Sequence, residues 1–218
     1  MPENGITVLV PFGQYPDPRF GIQPVKYTAE SAEQYVSATV SQIMHSARNY
    51  RKRTFSTVYF GGCEPSLLTL DQLYRLLQAL YDHLSIIPVE QTLITSAGSV
   101  DAYRAKVLKE LSFDHITIRI VNEHIPAEDF NIYRNAGFHS VGFEVCFADR
   151  NTFSPEELSE LVQLKPDHLY FLFSTCSELP LLIPPVFKQF LPGHYALPGK
   201  ENRHLINLSN AVIFGINR

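Results

Sequence analysis

Residues 57–68, TVYFGGCEPSLL, decide the fold class of this chain. The first four are β-branched or apolar, as in a buried strand, and the pair Gly61-Gly62 ends that strand. Residues 69–84 follow with leucines at helical spacing, which predicts an amphipathic helix. A strand, a glycine turn and a helix in this order form the repeating unit of a parallel α/β sheet.

The same unit repeats along the chain. Six strands are predicted at residues 6–12, 57–60, 91–95, 115–121, 140–147 and 168–173, and five helices lie between them. Such alternation gives right-handed βαβ units and a parallel sheet. A closed eight-fold barrel needs about 250 residues, so a chain of 218 residues predicts an α/β fold with a partial (β/α)6 TIM-like barrel.

Residues 1–178 are assigned to this barrel. Residues 179–218 are assigned to a short irregular C-terminal extension packed on it, so that the whole is a single domain. Within the extension we expect a helical turn at residues 187–191 and a last short strand at residues 211–216.

Composition limits the classes of function. The net charge of −4 and the isoelectric point near 6.0 predict no nucleic-acid partner, because such surfaces are basic. No apolar run is long enough for a membrane span, and no signal-peptide pattern opens the chain. Three well-separated cysteines favour a reducing compartment over a disulfide framework. We therefore expect a cytoplasmic protein.

Several segments share a resemblance, in the same order along the chain. Residues 61–68 are similar to a Gly-Gly-Gly-Thr-Pro-Ser-Leu-Leu loop, residues 98–101 to a Gly-Thr-Val-Asp turn, and residues 195–204 to a segment ending Pro-Gly-Tyr-Glu-Ser-Arg-His. All three resemble radical S-adenosylmethionine enzymes of the oxygen-independent coproporphyrinogen III oxidase family, which includes a haem chaperone. The resemblance implies a barrel with a [4Fe–4S] cluster and S-adenosylmethionine.

The departures from this family lie at the ends of the strands. The family binds its cluster through a Cys-x-x-x-Cys-x-x-Cys run after the first strand, because thiolates hold such clusters. Residues 11–20 contain no cysteine, and Gly13 stands at the first cysteine position. We therefore predict a catalytically degenerate relative that needs no cofactor and retains a porphyrin-, haem- or partner-binding surface. The alternatives are an active enzyme with a different cofactor and a regulatory partner of an active homologue.

The candidate cofactor-binding residues are Gly61, Gly62, Pro65, Arg119 and His204. Arg119 can bind a porphyrin carboxylate in the bidentate manner, or it can form an internal salt bridge with Glu144 on the neighbouring strand. His204 can ligate haem iron, or it can be a structural histidine.

Cys63, Cys146 and Cys176 each lie near the carboxyl end of a predicted strand. Three thiolates at one mouth can ligate zinc or an iron–sulfur cluster. In the other interpretation Cys63 fills a loop, and Cys146 and Cys176 are small buried hydrophobes.

Overall fold

Six strands alternate with five helices in a computed structural model that describes residues 4–17, 19–121, 125–146, 154–172 and 183–216. The strands are β1 (Gly5–Val10), β2 (Thr54–Gly62), β3 (Ser85–Ser96), β4 (His115–Val121), β5 (Ser140–Cys146) and β6 (His168–Leu172). The helices are α1 (Ala29–Ser46), α2 (Leu70–His83), α3 (Ala102–Glu110), α4 (Ala127–Asn135) and α5 (Pro155–Gln163). All six strands and five helices predicted for the barrel are present, although most of their ends shift.

Side-chain caps fix where three of the helices begin. Thr28, Thr69 and Ser154 each accept a hydrogen bond from the backbone N–H three residues on, and the residue there bonds back to the cap. Such a cap satisfies backbone donors that the first helical turn leaves free, and it contributes about 1 kcal/mol. Local sequence therefore sets the start of α1, α2 and α5.

Three further strands come from residues 183–216: β7 (Lys188–Leu191), β8 (His194–Ala196) and β9 (Val212–Phe214). The described strands form one sheet in the order β7-β8-β6-β5-β4-β3-β2-β1-β9. Strands β1 to β6 are parallel, β9 pairs in parallel with β1, and β8 pairs antiparallel with β6. Among the described strands the order is linear and the sheet does not close, so the predicted partial barrel is confirmed.

The helical turn predicted at residues 187–191 is wrong, because strand β7 lies there and pairs antiparallel with β8. A tight turn at Pro192 and Gly193 joins the two strands. A short apolar run fits one helical turn as well as one strand. The proline–glycine pair that follows the run indicates a tight turn, and a tight turn between two short segments favours a strand hairpin. The last predicted strand is confirmed as β9.

The two faces of the sheet differ in chemistry, because successive side chains of a strand point to opposite faces. The face under the helices buries apolar residues such as Val8, Val58 and Phe143. The interior face of the barrel is polar and aromatic, and its buried residues include Thr7, Tyr59, Thr117, Arg119, Glu144, His168 and Tyr170. The candidate site therefore lies within a buried polar layer.

Three segments supply apolar side chains that cover this interior face. Tyr59, Ile94 and Tyr170 of the sheet pack with Leu205, which lies in the short helix Arg203–Ile206. Phe20 from the segment between β1 and α1, and Phe190 and Leu191 from β7, pack against the same cluster. The interior is thus filled by the chain's own residues. In the described part of the chain, no helix is long and apolar enough to cross a membrane.

Candidate functional site

Four charged side chains meet at the carboxyl ends of the strands. Arg119 Nη2 lies 3.1 Å from Asp17 Oδ2 and 2.7 Å from Glu144 Oε1. Arg19 Nη2 lies 2.7 Å from both Asp17 Oδ2 and Glu144 Oε2. The side chains of Asp17 and Glu144 are 0% exposed. We call these four residues the ion-pair network, and its two positive and two negative charges balance.

Charge pairing outweighs burial in this network. Burial alone would raise the pKa of Asp17, but attraction to Arg19 and Arg119 holds that pKa below its usual value. Burial lowers the pKa of Arg119, yet attraction to Glu144 raises it by more. Asp17, Arg19 and Arg119 are therefore charged near neutral pH. A buried pair gains little over an apolar core, but the loss of one partner costs about 3–5 kcal/mol.

Arg119 also binds the glycine loop that follows β2. Its Nη1 donates hydrogen bonds to the carbonyl oxygens of Gly62, at 2.9 Å, and of Cys63. Gly62 has a φ of 98°, and a Cβ there would lie 2.5 Å from the carbonyl oxygen of Val10. Glycine is required because the loop packs directly on the backbone of β1. The carbonyl groups of this loop are thus bound by a side chain of the same protein.

The remaining loop candidates are buried. Gly61 is the penultimate residue of β2, and Pro65 begins the 3₁₀ turn Pro65–Leu67. Arg104 of α3 holds this turn, since its Nη2 donates to the carbonyl oxygens of Ser66, at 2.8 Å, and Leu68, at 2.9 Å. The loop is therefore fixed from one side by Arg119 and from the other by Arg104.

His204 is buried at the amino ends of the strands, away from the ion-pair network. Its Nε2 lies 2.8 Å from the Thr7 hydroxyl and its Nδ1 lies 2.9 Å from the Thr57 hydroxyl. The ring stacks on Tyr59 with 5.0 Å between centroids. Burial lowers the pKa of His204 to about 3. Both ring nitrogens have partners, so an axial bond to haem iron would first require these contacts to break.

His168 forms a second arrangement of this kind, which the sequence did not reveal. Its Nε2 lies 2.9 Å from the Thr117 hydroxyl and its Nδ1 lies 3.0 Å from the Ser140 hydroxyl. The ring stacks on Tyr170 with 4.6 Å between centroids. Burial lowers the pKa of His168 well below its usual value. Two neutral histidines therefore fill the barrel interior at the amino ends of the strands, and each lies between two hydroxyl groups and stacks on a tyrosine ring.

The cysteine candidates divide between described and undescribed residues. Cys63 and Cys146 are buried free thiols, and burial raises the pKa of each, that of Cys146 to about 12. Cys176 lies outside the described residues. Within the described ranges, no three His, Cys, Asp or Glu side chains are placed to hold a metal ion. Buried thiols with raised pKa values are weak metal ligands, because the thiolate is the ligand.

A cavity of about 190 Å³ lies beside the ion-pair network. Its lining residues come from the loops after β1, β2 and β3 and from β4: Gln14, Tyr15, Glu64, Ser96, Ala97, Arg119 and Val121. Pockets for drug-sized ligands typically enclose about 300–1,000 Å³. A larger cavity, of about 550 Å³, lies between α1 and β9, remote from these charges.

No protein-family model matches the chain. Over 190 residues the chain is 23% identical to the heme chaperone HemW of Lactococcus lactis, covering 80% of this chain and 47% of that protein. It matches the structure of coproporphyrinogen III oxidase (HemN) from Escherichia coli, described as a radical SAM enzyme, with a TM-score of 0.70 and 17% identity. That match covers 92% of this chain and 57% of the other. The chain is therefore similar in sequence to a heme chaperone and in fold to a coproporphyrinogen III oxidase of the radical SAM type. It spans about half the length of these relatives.

The family's cysteine motif can now be placed on the structure. Its spacing puts Gly13, Asp17 and Phe20 at the three cysteine positions. Asp17 belongs to the ion-pair network, and the Phe20 ring packs on Tyr59 with 6.2 Å between centroids. The Gly13 N–H donates to the Val25 carbonyl at 3.2 Å. These residues do not fit a [4Fe–4S] cluster of this family, because none of them offers a thiolate.

Sequence reasoning found part of this site. The internal salt bridge between Arg119 and Glu144 is observed, as one of the two alternatives for Arg119. Asp17 and Arg19 were not predicted, although both lie in the segment that carries the cysteines in the family. Their signal was weak, since two opposite charges in a proline-rich loop are typical of an exposed turn.

Proposed function

We propose that this chain is a non-radical relative of the coproporphyrinogen oxidase and haem chaperone proteins, with a binding rather than a catalytic role. The observation that carries the proposal is the fate of the cysteine positions. Asp17 has become part of a buried charge network, and Phe20 part of an apolar cluster. Both contribute to folding where the family holds a cofactor.

Energetics support the same proposal. A cluster and S-adenosylmethionine at this mouth would have to displace Arg19 and Asp17 from Arg119 and Glu144. Separation of one such buried pair costs about 3–5 kcal/mol, and the segment offers no thiolate in return. The ion-pair network therefore replaces the cofactor as the group that holds the mouth together.

The test of this proposal is anaerobic reconstitution with ferrous iron and sulfide, followed by a visible spectrum. We expect no cluster absorption and no reductive cleavage of added S-adenosylmethionine. The matched control is the triple variant Gly13→Cys, Asp17→Cys and Phe20→Cys, which restores the motif and shows whether the assay detects a cluster in this fold. Stoichiometric iron and sulfide in the unmodified protein, with cleavage activity, would refute the proposal.

Haem is the ligand class that the relatives favour, because the curated relative is a heme chaperone. The interior supports this only weakly, since its cavity is small and both nitrogens of His204 are bonded. We therefore propose that any haem binds outside the barrel interior and that His204 is not its ligand. A haem titration followed at the Soret band tests this, with the folded variant His204→Gln as control. An unchanged spectrum on titration excludes haem, and a Soret shift that His204→Gln abolishes excludes the proposed location.

A cytoplasmic location is proposed on the chemistry of the thiols. Cys63 and Cys146 are free, and free buried thiols are typical of reducing compartments. Fractionation of cells that produce the tagged chain tests this proposal.

A further inference from the structure

Four buried polar atoms on the interior face of the sheet have neither a hydrogen-bond partner nor an ion-pair partner among the described residues, and a fifth, Glu144 Oε2, has only its ion-pair contact with Arg19 Nη2 at 2.7 Å. The four are the hydroxyls of Tyr59 and Tyr170, Nη1 of Arg19 and Nε2 of His194. Tyr59 and Tyr170 are 0% exposed. Buried polar groups in folded proteins are nearly always hydrogen-bonded to protein or to ordered water. Four such atoms on one face therefore require an explanation.

These atoms lie in one region. Tyr59 and Tyr170 belong to the same packed cluster. The Arg19 guanidinium carbon lies 5.9 Å from the centre of the Tyr59 ring. The His194 ring lies 4.8 Å from that of Tyr170, between centroids. We call these four residues the interior polar group, and it adjoins the ion-pair network through Arg19.

The hydrogen-bonding capacity of this group is unbalanced. Nδ1 of His194 lies 2.7 Å from the Pro192 carbonyl oxygen, so Nδ1 carries the proton and Nε2 is an acceptor. Nη1 of Arg19 only donates, and each tyrosine hydroxyl can donate and accept. Within the group, the two hydrogens of Arg19 Nη1 and the two tyrosine hydroxyl hydrogens face a single atom that accepts without donating, Nε2 of His194. What fits between these atoms must be able to accept as well as donate.

A small anion and a water molecule could both accept these hydrogen bonds, and the charges of the surroundings decide between them. The ion-pair network that adjoins this group already balances two arginines against two carboxylates. A buried anion would add an uncompensated charge, which is costly in a low-dielectric interior. Water adds no charge, accepts and donates, and typically makes about three hydrogen bonds when buried.

We propose that the interior polar group binds ordered water, with at least one molecule bridging the Tyr59 and Tyr170 hydroxyls to Arg19. Such water links the aromatic cluster to the ion-pair network by hydrogen bonds. The site is independent of the proposed function, because it requires neither haem nor the absence of a cluster.

A crystal structure at high resolution tests this directly. We expect an enclosed water within hydrogen-bond distance of Tyr59 Oη and Arg19 Nη1. Direct contact between the two hydroxyls with no water between them, or density for an anion, would overturn the proposal.

A double-mutant cycle in solution gives an independent reading. Because one water bridges both hydroxyls, we expect Tyr59→Phe and Tyr170→Phe to be coupled by a factor of about 2 or more in the unfolding equilibrium constant. Tyr35→Phe is the matched control, because the Tyr35 hydroxyl donates directly to the Leu9 carbonyl at 2.9 Å. Tyr59→Phe and Tyr35→Phe should combine independently. Independent effects of Tyr59→Phe and Tyr170→Phe would contradict the bridge.

Discussion

The substitution Arg119→Met tests the ion-pair network most directly. Methionine keeps much of the length of the side chain but removes its charge and every donor. Asp17 and Glu144 then share Arg19 alone, and the carbonyl oxygens of Gly62 and Cys63 lose their partner. One uncompensated negative charge remains in a buried site, for which we expect a loss of about 3–5 kcal/mol. Domains of this kind have about 5–15 kcal/mol of stability in total, so the effect is large.

Urea unfolding followed by circular dichroism measures this loss, with the free energy of unfolding extrapolated to water. The control is Arg75→Met, because Arg75 pairs with Glu33 on the surface, where the two side chains are 35% and 50% exposed. An exposed pair contributes at most about 1 kcal/mol. The double variant Arg119→Met with Glu144→Met removes one charge of each sign, and it should be more stable than Arg119→Met alone.

Two results would contradict this reasoning. A loss for Arg119→Met as small as that for Arg75→Met would mean that the network is solvated or absent in solution. A double variant less stable than Arg119→Met would mean that the stranded charge is not the cause. If Arg119→Met does not fold, Arg119→Lys tests the other half of the argument: it keeps the charge and loses only the planar fork, so it should fold and should lose less stability than the removal of the charge.

Three further predictions concern pH, backbone and thiols. Burial lowers the pKa of His204 to about 3, whereas an unfolded histidine titrates near 6.5. The stability contributed by the neutral ring is therefore complete above about pH 6.5, and it falls between pH 6.5 and pH 3 by up to about 1.4 kcal/mol per pH unit. In urea unfolding curves measured across this range, His204→Gln should reduce the pH dependence of the unfolding free energy by about one proton. Gly62→Ala should lower the free energy of unfolding by about 3 kcal/mol or more, because the new Cβ would lie 2.5 Å from a backbone oxygen. Gly137→Ala is the control, because Gly137 has a φ of 80° but open space around its Cβ position, and it should lose only about 1–2 kcal/mol. Thermal unfolding of the two variants measures the difference. In Cys176→Ser protein the two remaining thiols should not react with Ellman's reagent until urea is added, because both are buried and the pKa of Cys146 is raised to about 12; rapid labelling of the native protein would contradict this.

The fold could be predicted because its signals are local. The β-branched residues of β1 and β4 and the leucines of α2 repeat at the period of their element, and Thr28 and Ser154 stand at the helix starts. The hairpin β7–β8 was not predicted, because a strand of four residues has too few side chains to show the two-residue period of a strand. Its turn residues carried the information.

The site could be predicted only where strand order brings residues together. Arg119 and Glu144 lie opposite each other on adjacent parallel strands, so their pairing follows from topology. Asp17 and Arg19 lie in an irregular segment, and nothing in their spacing places them inside the barrel. The contacts of His168 could not be predicted, because its two hydroxyl partners, Thr117 and Ser140, lie on other strands.

The pairing of β9 with β1 has a consequence for how the chain folds as it is synthesised. Strands β1 to β6 follow one another in the sheet, so each can pair with the strand made just before it. One edge of β1 remains unpaired until β9 has been synthesised. The hydrogen bond between Thr7 and His204 likewise cannot form until His204, 197 positions later in the chain, has been made. Such distant contacts slow folding. Strand β1 leaves the ribosome before the other strands of this sheet and is thus among the last of them to be completed, and its free edge is exposed to other chains throughout that interval.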